Sequence, residues 1–260
     1  MLKKPLVIVI FMLMAEMVGA YCTLGMTDCS SFSLAPSLGY YKYAEPGLMN
    51  IKGISFGLQA DYQYTSAEKV AFIFASEIAF VNGRYAGSYQ NGTPLSYNND
   101  NSYLLSFSPR IGYQLYFARQ DLQLVPFIGI AYRYLNNDNA DKPGGYLREA
   151  NYFYIPVGIT VDKRFSKWLF ESNFEFDYFV YGRQYSGIDG GIENAQHSGY
   201  GAKLNALVGQ ADASVTWLAG PYIKYWNIKD SETATGASQS TWIEPANYTV
   251  DSGLMVKFVF

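Results

Sequence analysis

The sequence ends with the stretch Tyr248-Thr-Val-Asp-Ser-Gly-Leu-Met-Val-Lys-Phe-Val-Phe260, in which two sets of residues alternate. One set is mostly apolar and has an aromatic residue at each end, whereas the other carries Asp251 and Lys257. Because successive side chains of a β-strand point to opposite sides of a sheet, the stretch predicts a strand with one apolar and one polar face. Such a strand suits a wall that separates lipid from a polar lumen.

The composition points in the same direction. Aromatic residues make up 17% of the 260 residues, with Tyr 24 and Phe 17, while charged residues make up only 16%. The interfaces of a membrane β-barrel require many aromatic side chains, whereas a soluble core needs fewer Tyr and more Leu. The formal net charge of -3 does not indicate a nucleic-acid partner. After the N-terminal region no apolar run reaches the length of a transmembrane helix, so a membrane protein with this sequence must cross as strands.

The N-terminal region resembles a secretory signal peptide. A basic start, Met1-Leu-Lys-Lys4, precedes an apolar run at 6–14 and the small residues Val18-Gly-Ala20. We therefore predict a signal peptide at residues 1–20, an N-terminal periplasmic segment at 21–31 and one barrel domain at 32–260.

Two cysteines, Cys22 and Cys29, follow the predicted cleavage site. An exported protein reaches an oxidising compartment, where a short-loop disulfide can form. The sequence leaves a disulfide and a pair of free thiols equally open.

The alternation recurs along the chain and is clearest at residues 51–64, where Ile54 and Phe56 share one face and Gln59 and Asp61 the other. An amphipathic helix would instead repeat its apolar residues at spacings of three and four. Short polar turns alternate with four long connections rich in Asn, Gly and Ser, at 82–102, 136–151, 182–200 and 229–247. About ten strands are predicted, at 32–43, 51–64, 70–80, 103–117, 122–134, 153–161, 168–180, 201–208, 214–228 and 248–260.

In its regular alternation, its pattern of short turns and long loops, and its final phenylalanine, the sequence resembles the small outer-membrane β-barrel proteins of Gram-negative bacteria. The resemblance implies an all-β, antiparallel up-and-down barrel of about ten strands, with long loops outside the cell and both termini in the periplasm. It also implies contact with outer-membrane lipid and lipopolysaccharide, and recognition of Phe258 and Phe260 by the barrel-assembly machinery. A soluble β-sandwich or lipocalin-like barrel, with the apolar set inside, is the alternative.

The polar faces of the predicted strands carry nearly balanced charges. A barrel this narrow has little room beyond its own side chains, so we expect these charges to pair and fill the lumen rather than line a pore. Glu77 and Arg110 lie on neighbouring predicted strands, as do Lys224 and Asp251. The complete predicted lumen network is Asp61, Glu77, Arg110, Arg133, Glu171, Glu175, Asp177, Lys203, Lys224, Asp251 and Lys257.

Two pairs of loop motifs should meet at the outer end of the barrel. Closure of the barrel brings the first and last loops together, so Glu45-Pro46 and Glu244-Pro245 are expected to be neighbours, most simply as turn residues. The block Asn-Asn-Asp-Asn occurs at Asn98–Asn101 and again at Asn136–Asn139. Its oxygens could hold calcium, but the glycine and glutamate spacing of a recognised calcium loop is missing, so we predict no metal site and no cofactor.

The favoured functional hypothesis is a surface-exposed structural or interaction protein, adhesin-like, with an extracellular ligand or host surface as partner. The alternative is a narrow porin-like channel for small solutes. A surface hydrolase is less favoured, although the size is similar to that of the omptin proteases, because their Asp-x-His element is replaced here by Ala195-Gln-His197. A single loop histidine without a nucleophile does not indicate catalysis, so we predict that the protein is not an enzyme.

Overall fold

A computed structural model describes residues 22–89, 91–211 and 215–260. Most of these residues lie in antiparallel strands, and a 3₁₀ turn occurs at Ala118–Gln120. No helix in these ranges is long and apolar enough to cross a membrane. The strands are β1 (Cys29–Glu45), β2 (Met49–Thr65), β3 (Val70–Ser88), β4 (Pro94–Tyr113), β5 (Leu115–Phe117), β6 (Leu122–Gly129), β7 (Ala131–Asp138), β8 (Leu147–Phe165), β9 (Trp168–Ser186), β10 (Ile192–Gln196), β11 (Gly199–Gln210), β12 (Thr216–Ile228), β13 (Ala234–Thr235), β14 (Thr241–Trp242) and β15 (Asn247–Val259).

The strands close into a ring because β15 pairs with β1 on one side and β12 on the other, as predicted. Leu38 lies opposite Leu254, and Lys224 lies opposite Asp251. The order around the wall is β15, β1, β2, β3, β4, β7 with β6, β8, β9, β11 with β10, and β12, which makes ten strand positions in the described chain. The predicted all-β antiparallel barrel of about ten strands is therefore confirmed, and closure leaves no free edge along this wall.

The two ends of the barrel carry different connections. The end that contains Cys29 and Val259 is called the base. Its connections include the turns at 66–69 and 166–167 and the segment 114–121, which contains β5 and the 3₁₀ turn. The opposite end, called the rim, carries the connections at 46–48, 89–93, 139–146, 187–191 and 229–246.

One predicted strand, 122–134, is interrupted in the structure. β6 ends at Gly129 and β7 begins at Ala131, so that Ile130 lies outside both. Across the sheet lies Pro109, which has no N–H to donate to a partner strand, although its carbonyl accepts from the Ile130 N–H at 3.2 Å. The missing donor explains why the ladder breaks at this point.

The outer wall of the barrel is apolar. Leu254 is 67% exposed, Ile78 55% and Phe56 53%, although all three lie within long strands. A soluble barrel would bury this set, so the lipocalin-like alternative is wrong and the apolar faces predicted from alternation do point outward. These outward residues form the apolar belt of the barrel.

Several strands extend further toward the rim than the sequence indicates. β3 continues to Ser88 and β4 starts at Pro94, so only five residues of the predicted long loop 82–102 connect them. The Tyr85 and Tyr97 rings stack across this hairpin with centroids 4.7 Å apart. The predicted loops 136–151 and 182–200 are likewise partly strand, because composition becomes polar where the wall leaves the apolar belt even though the backbone stays extended. The connection 229–246 contains only β13 and β14, which have two residues each.

At the base, β1 begins at Cys29, three residues before the predicted strand start at Phe32. The signal peptide predicted at residues 1–20 lies outside the described residues. At the end of the chain, Phe260 and Phe32 exchange backbone hydrogen bonds of 2.8 and 3.1 Å, and their rings stack. Phe258 and Phe260 remain exposed, and their role as an insertion signal stays a prediction.

Candidate functional site

The predicted lumen charges do point inward and surround a cavity in the half of the barrel nearer the base. The cavity has a volume of about 200 Å³. Arg133 and Asp251 lie nearer the rim, and Asp177 is fully buried beside Lys203. The other eight predicted residues line the cavity, namely Asp61, Glu77, Arg110, Glu171, Glu175, Lys203, Lys224 and Lys257.

Glu175 on β9 is the centre of the lumen ion pairs. Its Oε2 lies 2.8 Å from Arg110 Nη2 and its Oε1 lies 2.7 Å from Lys203 Nζ. Lys203 Nζ also lies 3.2 Å from Asp177 Oδ2. Three strands, β4, β9 and β11, are therefore joined through one buried carboxylate. Because every member is desolvated, the cluster depends on complete pairing.

Two further pairs span the lumen. Lys257 Nζ lies 2.7 Å from Glu171 Oε1, and Lys224 Nζ pairs with Glu77. The expectation that neighbouring strands supply the partners, Glu77 with Arg110 and Lys224 with Asp251, is wrong. A narrow lumen lets a long cationic side chain reach a strand three or four positions away around the wall. Asp251 accepts instead from Ser55 Oγ at 2.7 Å and from the Tyr222 hydroxyl at 3.0 Å.

One carboxylate that lines this cavity was not predicted. Asp162 on β8 lines the same cavity, and Gln123 Nε2 donates to its Oδ2 at 3.3 Å. The signal was present in the sequence, because Asp162 follows the outward residue Val161 and must point the other way.

A layer of aromatic side chains fills the lumen above the cavity. The rings of Tyr152 and Trp226 lie 6.5 Å apart, and the Arg133 guanidinium lies 5.7 and 5.2 Å from their centroids. Two smaller cavities, of about 40 and 20 Å³, adjoin this layer and have room for one or two waters each. The aromatic composition predicts side chains at the membrane interfaces and gives no sign of this internal layer. Its members are Tyr41, Tyr152, Tyr154, Phe179 and Trp226, all of them buried.

The base of the cavity is covered by residues 22–28, called the base segment. A disulfide joins Cys22 to Cys29 at the start of β1. The Gly25 N–H donates to Gln123 Oε1 at 2.9 Å, and Gln114 Nε2 donates to the Met26 carbonyl at 2.9 Å. Gly25 has a φ of +79° and lies against the Tyr116 ring, where a Cβ would not fit. The segment therefore follows a fixed path across the opening.

The two Glu-Pro motifs meet at the rim, as the sequence predicts, but Glu45 and Glu244 do more than form turns. Both side chains are buried, and Arg148 Nη1 lies 3.0 Å from Glu45 Oε1. The Tyr43 hydroxyl lies 3.0 Å from Glu45 Oε1 and 3.4 Å from Glu244 Oε1. Burial, and then the neighbouring Glu45 carboxylate, raise the pKa of Glu244 to about 7. Tyr43, Glu45, Arg148 and Glu244 are called the rim cluster.

A second contact holds the tip of the loop 229–246. Asp189, in the connection between β9 and β10, accepts from the Ser238 N–H at 2.8 Å, the Ser238 hydroxyl at 2.6 Å and Trp242 Nε1 at 2.8 Å. These hydrogen bonds hold the pKa of Asp189 below its usual range. The loop is therefore attached at two places, by Asp189 at its tip and by the rim cluster at its end.

The remaining predicted candidates lie around the rim. The two Asn-rich blocks meet, because Asn137 Nδ2 donates to Asp100 and Asn139 Nδ2 donates to Asn137 Oδ1 at 2.9 Å. Among the described residues no group of three or more His, Cys, Asp or Glu side chains is arranged to hold a metal. His197 is 53% exposed, and its Nε2 lies 3.1 Å from Glu232 Oε1.

The closed ring, the apolar outer wall and the polar lumen define the class of fold as that of the bacterial outer-membrane β-barrels. No family model matches the chain, and no curated protein sequence matches it. Among solved structures, the outer membrane protease OmpT from Escherichia coli is similar over 92% of this chain and 99% of its own, with a TM-score of 0.62 and 11% identity. At that identity the likeness concerns the fold alone.

Two further outer-membrane structures are less similar. The translocator domain of the autotransporter NalP from Neisseria meningitidis gives a TM-score of 0.45 at 10% identity, covering 97% of this chain and 96% of that one. A major outer membrane protein from Thermus thermophilus gives 0.41 at 10% identity, covering 89% of this chain and 100% of that one.

Proposed function

We propose that the protein is an integral outer-membrane protein whose closed lumen makes it a surface interaction protein rather than a channel. The apolar belt would lie in the membrane, with the rim outside the cell and the base and both termini in the periplasm. Short base turns and a taller, polar rim support this orientation. Lipid and lipopolysaccharide would surround the belt, and the barrel-assembly machinery would insert the chain.

The aromatic layer is the observation that carries the proposal. Buried rings and the Arg133 guanidinium occupy the lumen between the cavity and the rim, and the base segment covers the other side. A solute would have to displace the packed rings at the first place and the base segment at the second. The part available to other molecules is therefore the outside of the rim.

The β3–β4 hairpin is the rim feature best placed to contact a partner. Phe80 and Tyr103 face each other at the upper limit of the apolar belt, and eight further residues of β3 extend beyond them. At about 3.3 Å per residue the hairpin follows roughly 25 Å of strand above the belt. Its outer face carries exposed polar side chains and the exposed Tyr89. We propose this hairpin as the contact surface for an extracellular ligand or host surface.

Shortening the hairpin tests the interaction role. Residues 87–95 would be replaced by Asn-Gly, which suits a two-residue turn joining the paired positions Ala86 and Ser96. We expect adhesion of expressing cells to a panel of host cells and matrix proteins to fall at least several-fold, with the barrel still folded in unboiled electrophoresis. The control replaces Lys142 and Pro143 in the neighbouring rim connection with Gly residues. Equal adhesion by the shortened variant and wild type would contradict the role assigned to the hairpin.

A narrow channel is the second candidate, because the cavities of about 200, 40 and 20 Å³ succeed one another along the lumen. We expect no discrete conductance steps from wild-type protein in planar bilayers. Tyr152→Ala with Trp226→Ala should produce them by opening the aromatic layer, and Arg133→Ala provides a milder second variant. The matched control, Tyr200→Ala with Tyr225→Ala, removes an outward aromatic pair. Discrete steps from the wild type would favour the channel.

Our proposal assigns no enzymatic activity. His197 faces outward beside Glu232 and the Tyr181 ring, whose centroid lies 5.6 Å away. Glu232 has no hydroxyl or thiol that a hydrolase could activate, and the Tyr181 phenol is only weakly reactive.

A further inference from the structure

Three cations form a line across the outer wall, one on each of β1, β2 and β3. Lys42 lies opposite Lys52, and Lys52 lies opposite Arg84 in the strand register. Cβ atoms of directly opposed residues are about 4.5–5.5 Å apart, so the line spans roughly 10 Å. Lys42, Lys52 and Arg84 are called the basic row.

The basic row has no acidic partner. In the described chain the side chain of Lys42 makes its only hydrogen bond and ring contact with Tyr248, through its hydroxyl and its ring at 4.9 Å, and the side chains of Lys52 and Arg84 make no hydrogen bond or ion pair. Like charges placed directly opposite each other destabilise a sheet. The arrangement therefore carries an electrostatic cost that a bound anion would remove.

Two other cations near the rim do have an acidic partner. Arg183 pairs with Glu193, and Lys142 pairs with Asp141. The basic row is thus a local excess of positive charge rather than an ordinary mixed surface, and it is confined to the wall formed by β1, β2 and β3.

The position of the basic row on the wall indicates what kind of molecule would bind to it. Tyr40 and Ile54 are paired with each other two residues nearer the base on the same outer face, and each is 52% exposed. The row therefore lies where the apolar belt gives way to polar wall, on the rim side. A molecule that fits both features has apolar chains along the belt and phosphate groups at the level of the row.

We propose that the basic row binds the phosphate groups of lipopolysaccharide, whose acyl chains would lie along Leu38, Tyr40, Ile54 and Phe56. This site rests on the proposed function, because lipopolysaccharide meets the row only if the rim faces outward in the outer membrane. Lys and Arg are suited to phosphate, and Arg84 can bind two phosphate oxygens at once.

The test measures binding of lipopolysaccharide micelles to the full-length protein in a zwitterionic detergent. Lys52→Gln with Arg84→Gln should weaken binding about ten- to thirtyfold at low salt, since each cation near an anionic lipid surface contributes roughly a factor of five. Added salt should reduce the difference. The matched control, Lys142→Gln with Arg183→Gln, removes the same charge from two paired sites and should bind as wild type does. Unboiled electrophoresis confirms that every variant is folded.

Four outcomes would overturn the proposal. They are equal loss in the two double variants, undiminished binding of dephosphorylated lipopolysaccharide, equal binding of phosphatidylglycerol micelles, and full competition by millimolar inorganic phosphate. The orientation is tested separately, by labelling Ser96→Cys in intact cells with an impermeant thiol reagent. Failure to label would refute the proposed orientation and leave the detergent result on phosphate binding unaffected, so the two failures are distinguishable.

Discussion

Replacing Glu175 with Gln should lower the free energy of unfolding of the barrel by roughly 3–5 kcal/mol, the usual cost of removing one partner from a buried ion pair. Glu175 is 1% exposed and neutralises both Arg110 and Lys203. Lys203 would keep Asp177. Arg110 would keep only neutral contacts, with Ser108 Oγ at 2.8 Å and the Phe127 ring at 4.8 Å. The loss of stability should therefore come mainly from the Arg110 guanidinium, which would lack an anionic partner.

The measurement is urea unfolding of the protein folded into lipid vesicles, followed by tryptophan fluorescence and by the fraction that migrates as folded in unboiled electrophoresis. Glu193→Gln is the matched control, because it breaks a pair with Arg183 that is half exposed and should cost less than about 1 kcal/mol. Adding Arg110→Met to Glu175→Gln should recover part of the loss, because an apolar side chain over Phe127 leaves no unpaired charge. A cost for Glu175→Gln no larger than the control's would contradict the central place of this carboxylate.

Alternation alone predicts which residues face the lumen, but it does not predict their partners. Glu175 and Lys203 are directly opposed across β9 and β11, so their contact follows once the register is known. Lys224 and Asp251 are also directly opposed, yet Lys224 reaches Glu77 instead. That choice depends on the width of the lumen and on which carboxylate lacks other donors, and neither quantity can be read from a strand pattern.

The aromatic layer and the tall rim were missed for a related reason. Tyr152 and Tyr154 alternate with the outward residues Phe153 and Ile155, so the strand pattern does place them inside. The amino-acid composition instead indicates a place at the membrane interfaces, because tyrosine is also enriched there. The polar hairpin at 82–102 reads as a loop for the converse reason: apolar alternation reports the lipid next to a strand, and it disappears where the strand continues into water.

Acidity should change the stability of the rim cluster. The pKa of Glu244 rises from an ordinary value of 4.5 to about 7, first through burial and then through the Glu45 carboxylate, while Arg148 acts in the opposite direction. Between these values the folded protein binds more protons than the unfolded chain. Stability from this group therefore rises as the pH falls from above 7 toward 4.5, and is lost as the pH rises through 7. The full effect is roughly 3 kcal/mol.

Glu244→Gln isolates this effect, because glutamine is neutral at every pH and all other titrating groups are shared with the wild type. We expect the variant to match the wild type near pH 4.5 and to be more stable by about 3 kcal/mol at pH 8.5 in urea unfolding. Glu232→Gln, in the same loop but with a side chain that is 67% exposed, is the control and should leave the pH profile nearly unchanged. Parallel profiles for Glu244→Gln and wild type would contradict the proposed titration.

The structural consequence should be local, because the loop 229–246 has two separate attachments. Ionised Glu244 beside Glu45 leaves two buried carboxylates to share the single Arg148 guanidinium. The Glu244 N–H donates to Ser231 Oγ at 2.8 Å, and the Ser231 N–H donates to the Glu244 carbonyl at 3.0 Å, so loosening at Glu244 should reach Ser231. Hydrogen exchange, corrected for its intrinsic pH dependence, should therefore quicken at these two amides above pH 7. Ser238, held by Asp189 at the loop tip, should not respond, and equal quickening there would mean that the whole loop opens as one unit.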